Sequence, residues 1–164
     1  MQEMTIQDAG RKLLARMLTG LAVHVAIGRG DGAWQTPPAN PTTGTALINE
    51  IARRQATIVG YVEPSTKEEA TVELPGELYY KASVAPTKYL HISTTFGFGE
   101  AADEDVREIA LFFNTVAAAG VAAGKRYLLP AEVANGGDCW GVLYQKPDPR
   151  PGTKQATENF VFPL

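Results

Sequence analysis

The sequence is poor in the residues that cross-link small domains or bind metal ions. Its 164 residues include one cysteine, Cys139, and two histidines, His24 and His91. A single cysteine excludes an intrachain disulfide framework and a multi-cysteine zinc site. No acidic residue lies at a metal-site spacing from either histidine, so both are interpreted as partly exposed strand residues and Cys139 as a buried, inert thiol. We therefore predict no metal and no cofactor.

Long apolar runs and clusters of positive charge are also missing. No uninterrupted apolar run approaches the roughly 20 residues of a membrane span. The residues Met1 to Met4 lack the basic start and the apolar block of a signal peptide. The formal net charge is −3 and the basic residues are scattered, whereas phosphate binding needs a concentrated basic face. We expect a soluble protein that is made in a cytoplasm and has neither a membrane nor nucleic acid as a partner.

The third absence is a catalytic constellation. The glycine loop at 28–32 follows a predicted strand, but no Gly-Lys-Ser/Thr accompanies it, so a phosphate-binding loop is disfavoured. Carboxylates cluster at 68–69 and 103–105, where acidic runs between strands are usually solvated turns and give no specific signal for glycoside hydrolysis. No nucleophile is matched with a histidine and a carboxylate that orients it. The sequence thus predicts that the protein is not an enzyme.

Two helices are predicted. Apolar residues recur at spacings of three and four from 5 to 19, with Thr5 as the cap and Gly20 as a left-handed end. A short internal helix is predicted at 46–54. Its inward-facing residues are Leu47, Ile48 and Ile51.

Strands account for most of the remaining pattern, because apolar and polar residues alternate or β-branched and aromatic residues dominate. They are expected at 21–27, 56–62, 71–74, 78–85, 89–98, 106–113, 139–145 and 158–162. The predicted fold class is α+β and strand-dominated, an antiparallel sheet or sandwich with an N-terminal helix, one short internal helix and extended arms. We expect a single structural domain over 1–146, then a linker and a C-terminal extended arm over 147–164.

Three segments combine an extended backbone with proline or aromatic residues. Prolines hold 33–41 extended, a linker-like proline-rich stretch occupies 147–152, and an apolar run occupies 160–164. Such arms suit wrapping onto neighbouring subunits, although they can also fold back on their own core. The candidate interface residues are Trp34, Pro37, Pro38, Tyr79, Tyr80, Trp140, Phe160 and Phe162.

Three motifs follow one another in a recognisable order: VAIGRG at 25–30, GTALINEIARR at 44–54 and VREIALF at 106–112. In this order the chain resembles the N-terminal module of phage tail-collar fibre proteins and related small baseplate proteins of long-tailed, contractile phages. Two departures are Ala110, where that family usually has Gly, and the end at Leu164, where fibre proteins continue into a repetitive shaft. The resemblance implies a virion structural protein of the tail, a baseplate wedge or tail-fibre attachment component, synthesised in the bacterial host cytoplasm.

The resemblance also implies partners. These would be other tail or baseplate proteins and tail fibres, bound in a homo- or hetero-oligomer. As a physical hypothesis for the shared motifs, Glu50 and Arg53 would lie three apart on one helix face, and Arg107 and Glu108 would pair with them across the fold. A partly buried network of this kind fixes orientation more than it adds stability.

Two other functions remain open. A small carbohydrate or cell-surface binding module of a tail would use Trp34, Tyr79, Tyr80 and Trp140. A cell-wall hydrolase carried on a tail would require a catalytic carboxylate. Docking without turnover is the preferred interpretation, because extended aromatic segments are present in the sequence and a catalytic constellation is not.

Overall fold

The computed structural model describes residues 4–164, so Met1 to Glu3, on which part of the signal-peptide argument depends, lie outside it. One α-helix, α1, spans Asp8–Thr19, and a short 3-10 helix spans Pro130–Glu132. The strands are β1 (Val23–Gly28), β2 (Glu50–Gln55), β3 (Ile58–Pro64), β4 (Val72–Leu74), β5 (Leu78–Ser83), β6 (Tyr89–Phe96), β7 (Glu104–Phe113), β8 (Val116–Ala117), β9 (Tyr127–Leu128), β10 (Val133–Asn135), β11 (Asp138–Arg150) and β12 (Ala156–Pro163).

Ten of the twelve strands in the described residues form two five-stranded sheets. Sheet A has the order β11-β7-β1-β2-β9, and sheet B has the order β12-β6-β3-β5-β4. Strands β8 and β10 pair separately. All the pairs of sheet A are antiparallel, and so are the β3–β5, β3–β6 and β4–β5 pairs of sheet B. The predicted strand-dominated α+β class with an N-terminal helix is confirmed.

The chain forms two compact units that alternate along the sequence. Within the described residues, unit 1 comprises 4–21, 57–93 and 158–164, and unit 2 comprises 22–56 and 94–157. Helix α1 and most of sheet B belong to unit 1. Sheet A and the β8–β10 pair belong to unit 2.

The centre of unit 2 is β1, which lies between β7 and β2 in sheet A. All six residues of β1 are buried, and so are the last six of β7. Burial without alternation means that both faces of the sheet are covered at this point. On one face Ala26 pairs in register with Ala110, and these small residues pack with Leu47 and Phe112 in one apolar cluster.

In unit 1, α1 packs against β3 of sheet B. Ala15 is the one buried residue of the helix, and the Thr19 hydroxyl forms a hydrogen bond with the Tyr61 hydroxyl (3.1 Å). The buried apolar side chains of the sheet include Val62, Leu90 and Ile92. No helix within residues 4–164 has the length and apolar character that crossing a membrane requires.

The prediction of an internal helix at 46–54 is wrong. Residues 50–55 form β2, which pairs with β1 and β9, and residues 45–49 are irregular. Leu47 and Ile51 are buried as expected, whereas Ile48 is exposed. A helix of so few residues has little stability of its own, so pairing with two neighbouring strands decides the conformation.

The ends of two elements also differ from prediction. Helix α1 begins at Asp8 after Gln7, which makes no side-chain cap hydrogen bond, so Thr5 is not the cap. Gly20 has φ −83°, a right-handed conformation, because the chain enters β1 without the left-handed reversal. Strand β11 continues to Arg150 and takes in most of the stretch interpreted as a linker.

The two histidines are buried, not partly exposed as predicted. His24 is 6% exposed on β1 and His91 is 5% exposed on β6. The less apolar face of each strand is covered by other parts of its own unit. The alternation of apolar and polar residues along one strand does not reveal this cover. For His91 the cover includes Asn159, whose side-chain oxygen lies 3.1 Å from the imidazole Nε2.

Candidate functional site

The candidate site is built on the long segment that joins β1 to β2, here called the 29–49 loop. Its two ends meet because the Arg29 N–H donates a hydrogen bond to the Asn49 carbonyl oxygen (2.8 Å). The Arg29 guanidinium also donates to the Asn49 side-chain oxygen (3.3 Å) and forms an ion pair with Glu104. A long loop whose ends are closed in this way holds its shape through its own side chains. The proline-rich part is therefore anchored at its base.

Glu108 fixes the end of this loop from inside unit 2. Its carboxylate is fully buried and accepts hydrogen bonds from the N–H groups of Ile48 (3.0 Å) and Asn49 (2.8 Å). Gly28 lies opposite Glu108 in the register of β1 and β7. A Cβ atom on Gly28 would clash with the carboxylate and come within 2.7 Å of the Asn49 carbonyl oxygen. Glycine is thus required for the carboxylate to reach the loop.

Trp34 and Asn40 hold the loop against β11. The Trp34 and Tyr144 rings are 4.7 Å apart between centroids. The indole also covers Gly30, whose φ is +59° and where a Cβ atom would lie 2.7 Å from the ring. The Asn40 side-chain oxygen accepts a hydrogen bond from the Tyr144 N–H (2.8 Å). The chain's own loop therefore covers one face of β11 through Trp34 and binds the outer edge of the strand through Asn40.

The other face of β11 carries exposed apolar side chains, here called the β11 patch, which consists of Trp140 and Leu143. Trp140 packs edge-on against Phe113 with 5.5 Å between ring centroids, yet it is 45% exposed. Leu143 pairs in register with Ile109, which lies four residues from Phe113 and so shares its face of β7. Leu143 is 39% exposed.

The other candidate interface residues are distributed over both units. In unit 2, Pro37 is half-buried and Pro38 is exposed within the 29–49 loop. In unit 1, Tyr79 and Tyr80 are half-buried on β5, and the Tyr80 ring lies 5.7 Å from that of Tyr89. A stacked pair on β12 completes the set, with 6.4 Å between centroids: Phe160 and Phe162.

The four residues of the predicted polar network do not form one cluster. Arg53 donates through Nε to one Glu50 oxygen (2.8 Å) and through Nη2 to the other (2.7 Å). Arg107 instead pairs with Asp105 (3.1 Å). Glu108 binds the backbone of the 29–49 loop. The pairing across the fold that the motifs suggested is thus replaced by three separate interactions.

Arg53 is 4% exposed and is bound by several partners. Its Nη1 donates to the Thr115 hydroxyl (2.9 Å) and the Gly136 carbonyl oxygen (2.7 Å), and its guanidinium lies 4.3 Å from the centroid of the Phe112 ring. A register shift against β1 leaves Ile51 as an extra residue in β2. This bulge brings Glu50 and Arg53, three residues apart, to the same side of the strand.

Burial changes the acid–base properties of two other side chains in unit 2. Burial first, and then the charges of Arg53 and Arg126, lower the pKa of His24 from 6.5 to about 4. The imidazole is therefore neutral at neutral pH, and its Nδ1 has no hydrogen-bond partner within residues 4–164. Burial also raises the pKa of the half-buried Cys139 thiol, so the thiol stays protonated and weakly nucleophilic.

Unit 1 carries an exposed apolar surface, here called the α1 stripe, that was not predicted from the sequence. Periodicity detects the apolar face of an amphipathic helix but does not reveal what covers it. Side chains that maintain this periodicity are exposed in the structure: Ile6, Leu13, Leu14 and Met17. No group of three or more His, Cys, Asp or Glu side chains within the described part of the chain is arranged to hold a metal ion.

Comparison with known proteins gives a match over nearly the whole chain. A family model described as "Baseplate wedge 3 tail fiber network component" matches residues 4–164. A search of curated proteins gave no match. The family match confirms the resemblance to phage baseplate and tail-fibre components that the three motifs indicated.

Proposed function

We propose, on the premise that the chain belongs to the baseplate wedge 3 tail fiber network component family, that it acts by docking to other tail proteins, without turnover. Membership of this family makes the chain a structural component of a phage tail baseplate, and the family description implies contact with other baseplate or tail-fibre components. The finer proposal is that exposed apolar surfaces of this chain attach tail fibres to the baseplate wedge.

The observation that carries this proposal is the β11 patch. Trp140 and Leu143 leave apolar area in water on a strand whose opposite face is covered by Trp34 and whose outer edge is bound by Asn40. Burying such area yields roughly 25 cal/mol per Å². Tryptophan is also among the residues that dominate binding energy at protein interfaces. Because the strand is already fixed, a partner that covers the patch orders little additional chain on binding.

Quantitative mass spectrometry of purified tails tests the docking role directly. We expect the chain in the tail fraction, separated from capsids, at a constant whole-number ratio to other baseplate proteins. A chain that is abundant in the lysate but absent from particles would contradict the proposal. An assembly chaperone or a lysis factor would then be a better assignment.

Variants of the β11 patch test which surface docks. Replacing Trp140 and Leu143 together by alanine should lower the number of copies in tails by about tenfold or more. Leu129→Ala is the matched control, because Leu129 is an apolar side chain of unit 2 that is 46% exposed and lies outside the patch. Melting curves of the purified variants separate lost docking from lost folding. Unchanged incorporation of the double variant would exclude the patch as the docking surface.

The same variants detect the alternative role in binding a carbohydrate or cell-surface ligand. If a sugar quenches the tryptophan fluorescence of the wild-type chain and Trp140→Ala removes this effect, ligand binding becomes the preferred function. The docking proposal predicts no quenching by sugars and a change in tryptophan emission when a tail protein binds.

A further inference from the structure

Helix α1 turns an apolar face to solvent. The side chains of the α1 stripe, Ile6, Leu13, Leu14 and Met17, are 55, 49, 38 and 61% exposed. Ile6 precedes the helix but continues the stripe, because its Cγ2 atom lies over Gly10, where a Cβ atom would be only 3.1 Å away. The stripe therefore extends over the length of the helix.

The stripe is not needed to hold α1 on its own unit. The helix is attached by its opposite face, where Ala15 is buried and Thr19 contacts Tyr61. The Arg11 guanidinium also donates a hydrogen bond to the Leu164 carbonyl oxygen. At about 100° per residue, Leu13 and Met17 lie on the far side of the helix from Ala15 and Thr19. An unburied apolar face on a helix that is already anchored indicates a surface for another molecule.

Positive charge borders the stripe. Lys12 and Arg16 are exposed, and neither forms an ion pair with a residue in the part of the chain that the structure describes. The helix has three basic residues and one acidic residue, a net charge of +2. The whole chain has a net charge of −3, so the rest of it carries −5. The stripe and its border are thus opposite in charge to the remainder of the protein.

We infer that the α1 stripe docks into an apolar groove on a different tail protein, and that carboxylates line the rim of this groove beside Lys12 and Arg16. The inference rests on the proposed docking function and adds the chemistry of one partner. Apolar anchors spaced by four and seven residues, as in Ile6, Leu13 and Met17, are typical of a helix that binds in a groove.

A second copy of this chain is a poor occupant of the stripe. Two α1 helices that paired through their stripes would bring Lys12 and Arg16 of both copies to one seam, where like charges repel. A helix of 12 residues is about 18 Å long, so the two copies would meet only over this short length. A stable interface buries roughly 1,200 Å² or more, which two such short stripes do not provide by themselves. A groove on a different protein contacts a helix on more than one side and so buries more of its surface than a second helix does.

Site-specific photo-crosslinking in assembled particles identifies the occupant. The full chain, with a photoreactive phenylalanine analogue in place of Leu13, is supplied to a phage that lacks its own copy, and purified tails are irradiated. We expect a cross-link to a different tail protein, at an apolar segment flanked by Asp or Glu. The same analogue at Val84, a fully exposed apolar position of unit 1 outside the helix, serves as the control and should not give this cross-link.

Substitutions measure what the contact contributes. Leu13→Ser with Met17→Ser should lower incorporation into tails by about tenfold or more, and Lys12→Glu with Arg16→Glu should lower it in a salt-dependent way. Val84→Ser should leave incorporation unchanged. All of these side chains are exposed, so melting temperatures should stay close to that of the wild type.

Three outcomes overturn the inference: a cross-link from Leu13 to another copy of this chain, no cross-link from Leu13, or normal incorporation of both double variants. Each of these leaves the proposed function standing, provided that the wild-type chain is found in tails. Absence of the wild-type chain from tails would instead contradict the proposed function itself.

Discussion

His24 is a residue whose environment favours one protonation state. It lies on the buried central strand of sheet A, close to the cations Arg53 and Arg126, and its pKa is lowered to about 4. In the unfolded chain the imidazole has its ordinary pKa of 6.5. Above pH 6.5 the imidazole is neutral in both the folded and the unfolded chain, so protonation of His24 does not change the stability there. Below pH 6.5 the unfolded chain binds a proton that the folded chain excludes, so stability falls until about pH 4.

We therefore predict that the free energy of unfolding decreases by roughly 2 kcal/mol between pH 6.5 and 4 because of His24, after allowance for solvent screening. Urea denaturation at a series of pH values measures this decrease. His24→Gln cannot bind a proton in this range. As the pH is lowered from 6.5 to 4, the free energy of unfolding of the wild type should therefore decrease more than that of the variant. Parallel curves for the two proteins would show that another group is responsible.

Glu108 provides a second prediction for a single residue. Its two oxygens accept from two different backbone N–H groups, those of Ile48 and Asn49. Glu108→Gln replaces one acceptor by an NH₂ group, which would face an N–H donor, so we expect a loss of about 2 kcal/mol in the free energy of unfolding. Hydrogen exchange of the amides at 48 and 49 should also become faster.

The control for this change is Glu104→Gln. Glu104 pairs with Arg29 at the base of the same loop, but this pair is partly exposed, so less than about 1 kcal/mol should be lost. Equal losses for the two variants would contradict the role given to the buried carboxylate.

At the scale of the element, β2 shows how a local irregularity positions a charged side chain. The extra residue Ile51 brings Glu50 to Arg53, and the guanidinium then joins β2 to Thr115 and Gly136. Lysine cannot reproduce this set of donors. We predict that Arg53→Lys lowers the free energy of unfolding by about 3 kcal/mol, as measured by urea denaturation.

Two comparisons make this prediction specific. Glu50→Gln keeps a hydrogen-bond acceptor for Arg53 but removes the charge, so a smaller loss is expected. Arg54→Lys changes the neighbouring residue, whose pair with Glu100 is more exposed, and should have little effect. If Arg53→Lys were no more harmful than Arg54→Lys, the bound guanidinium would not be what stabilises this part of unit 2.

The elements also show which features local patterns predict. The strands at β1, β6 and β7 were predictable because apolar and β-branched residues mark them directly. The segment at 46–54 has the spacing of a short helix, and pairing with β1 and β9 makes its second part a strand, β2. For α1 the helix was predictable, but the exposure of its apolar face was not, because periodicity contains no information about partners.

At the scale of the whole molecule, the two compact units differ in how much they bury. In unit 2 two adjacent central strands, β1 and β7, are buried almost without interruption. In unit 1, β4 is a three-residue edge strand and α1 buries only Ala15. Local opening is easiest where few apolar contacts must be broken.

We accordingly predict a gradient in native-state hydrogen exchange. Amides of β1 and β7 should exchange most slowly, and those of α1 and β4 should exchange much faster. Hydrogen exchange of the purified chain, followed by mass spectrometry, measures the exchange rates of both groups of amides. Protection of α1 equal to that of β1 in the isolated chain would mean that the helix is held more firmly than its contacts indicate. An increase in α1 protection only within tails would agree with docking through the stripe.

The candidate site as a whole could be predicted only in part. Trp34 and Trp140 were identifiable as aromatic residues in a proline-rich segment and a strand. Whether each is covered or exposed depends on contacts with residues that are distant in the sequence. Trp34 is covered by Tyr144, which lies more than a hundred residues away in the sequence, whereas Trp140 remains exposed at the edge of the sheet. Glu50 and Arg53 were correctly named as partners, yet their bulged strand is a property of the pairing with β1.

The outer edge of sheet A bears on whether free copies of the chain aggregate before assembly into a tail. Strand β11 ends the sheet, and unpaired N–H and C=O groups on such an edge can recruit further copies into growing aggregates. Here the Tyr144 N–H already donates a hydrogen bond to Asn40, and Pro147 and Pro149 have no N–H group. The register of β11 is also interrupted twice, so the edge is not a regular template. These features disfavour polymerisation of free copies of the chain along this edge.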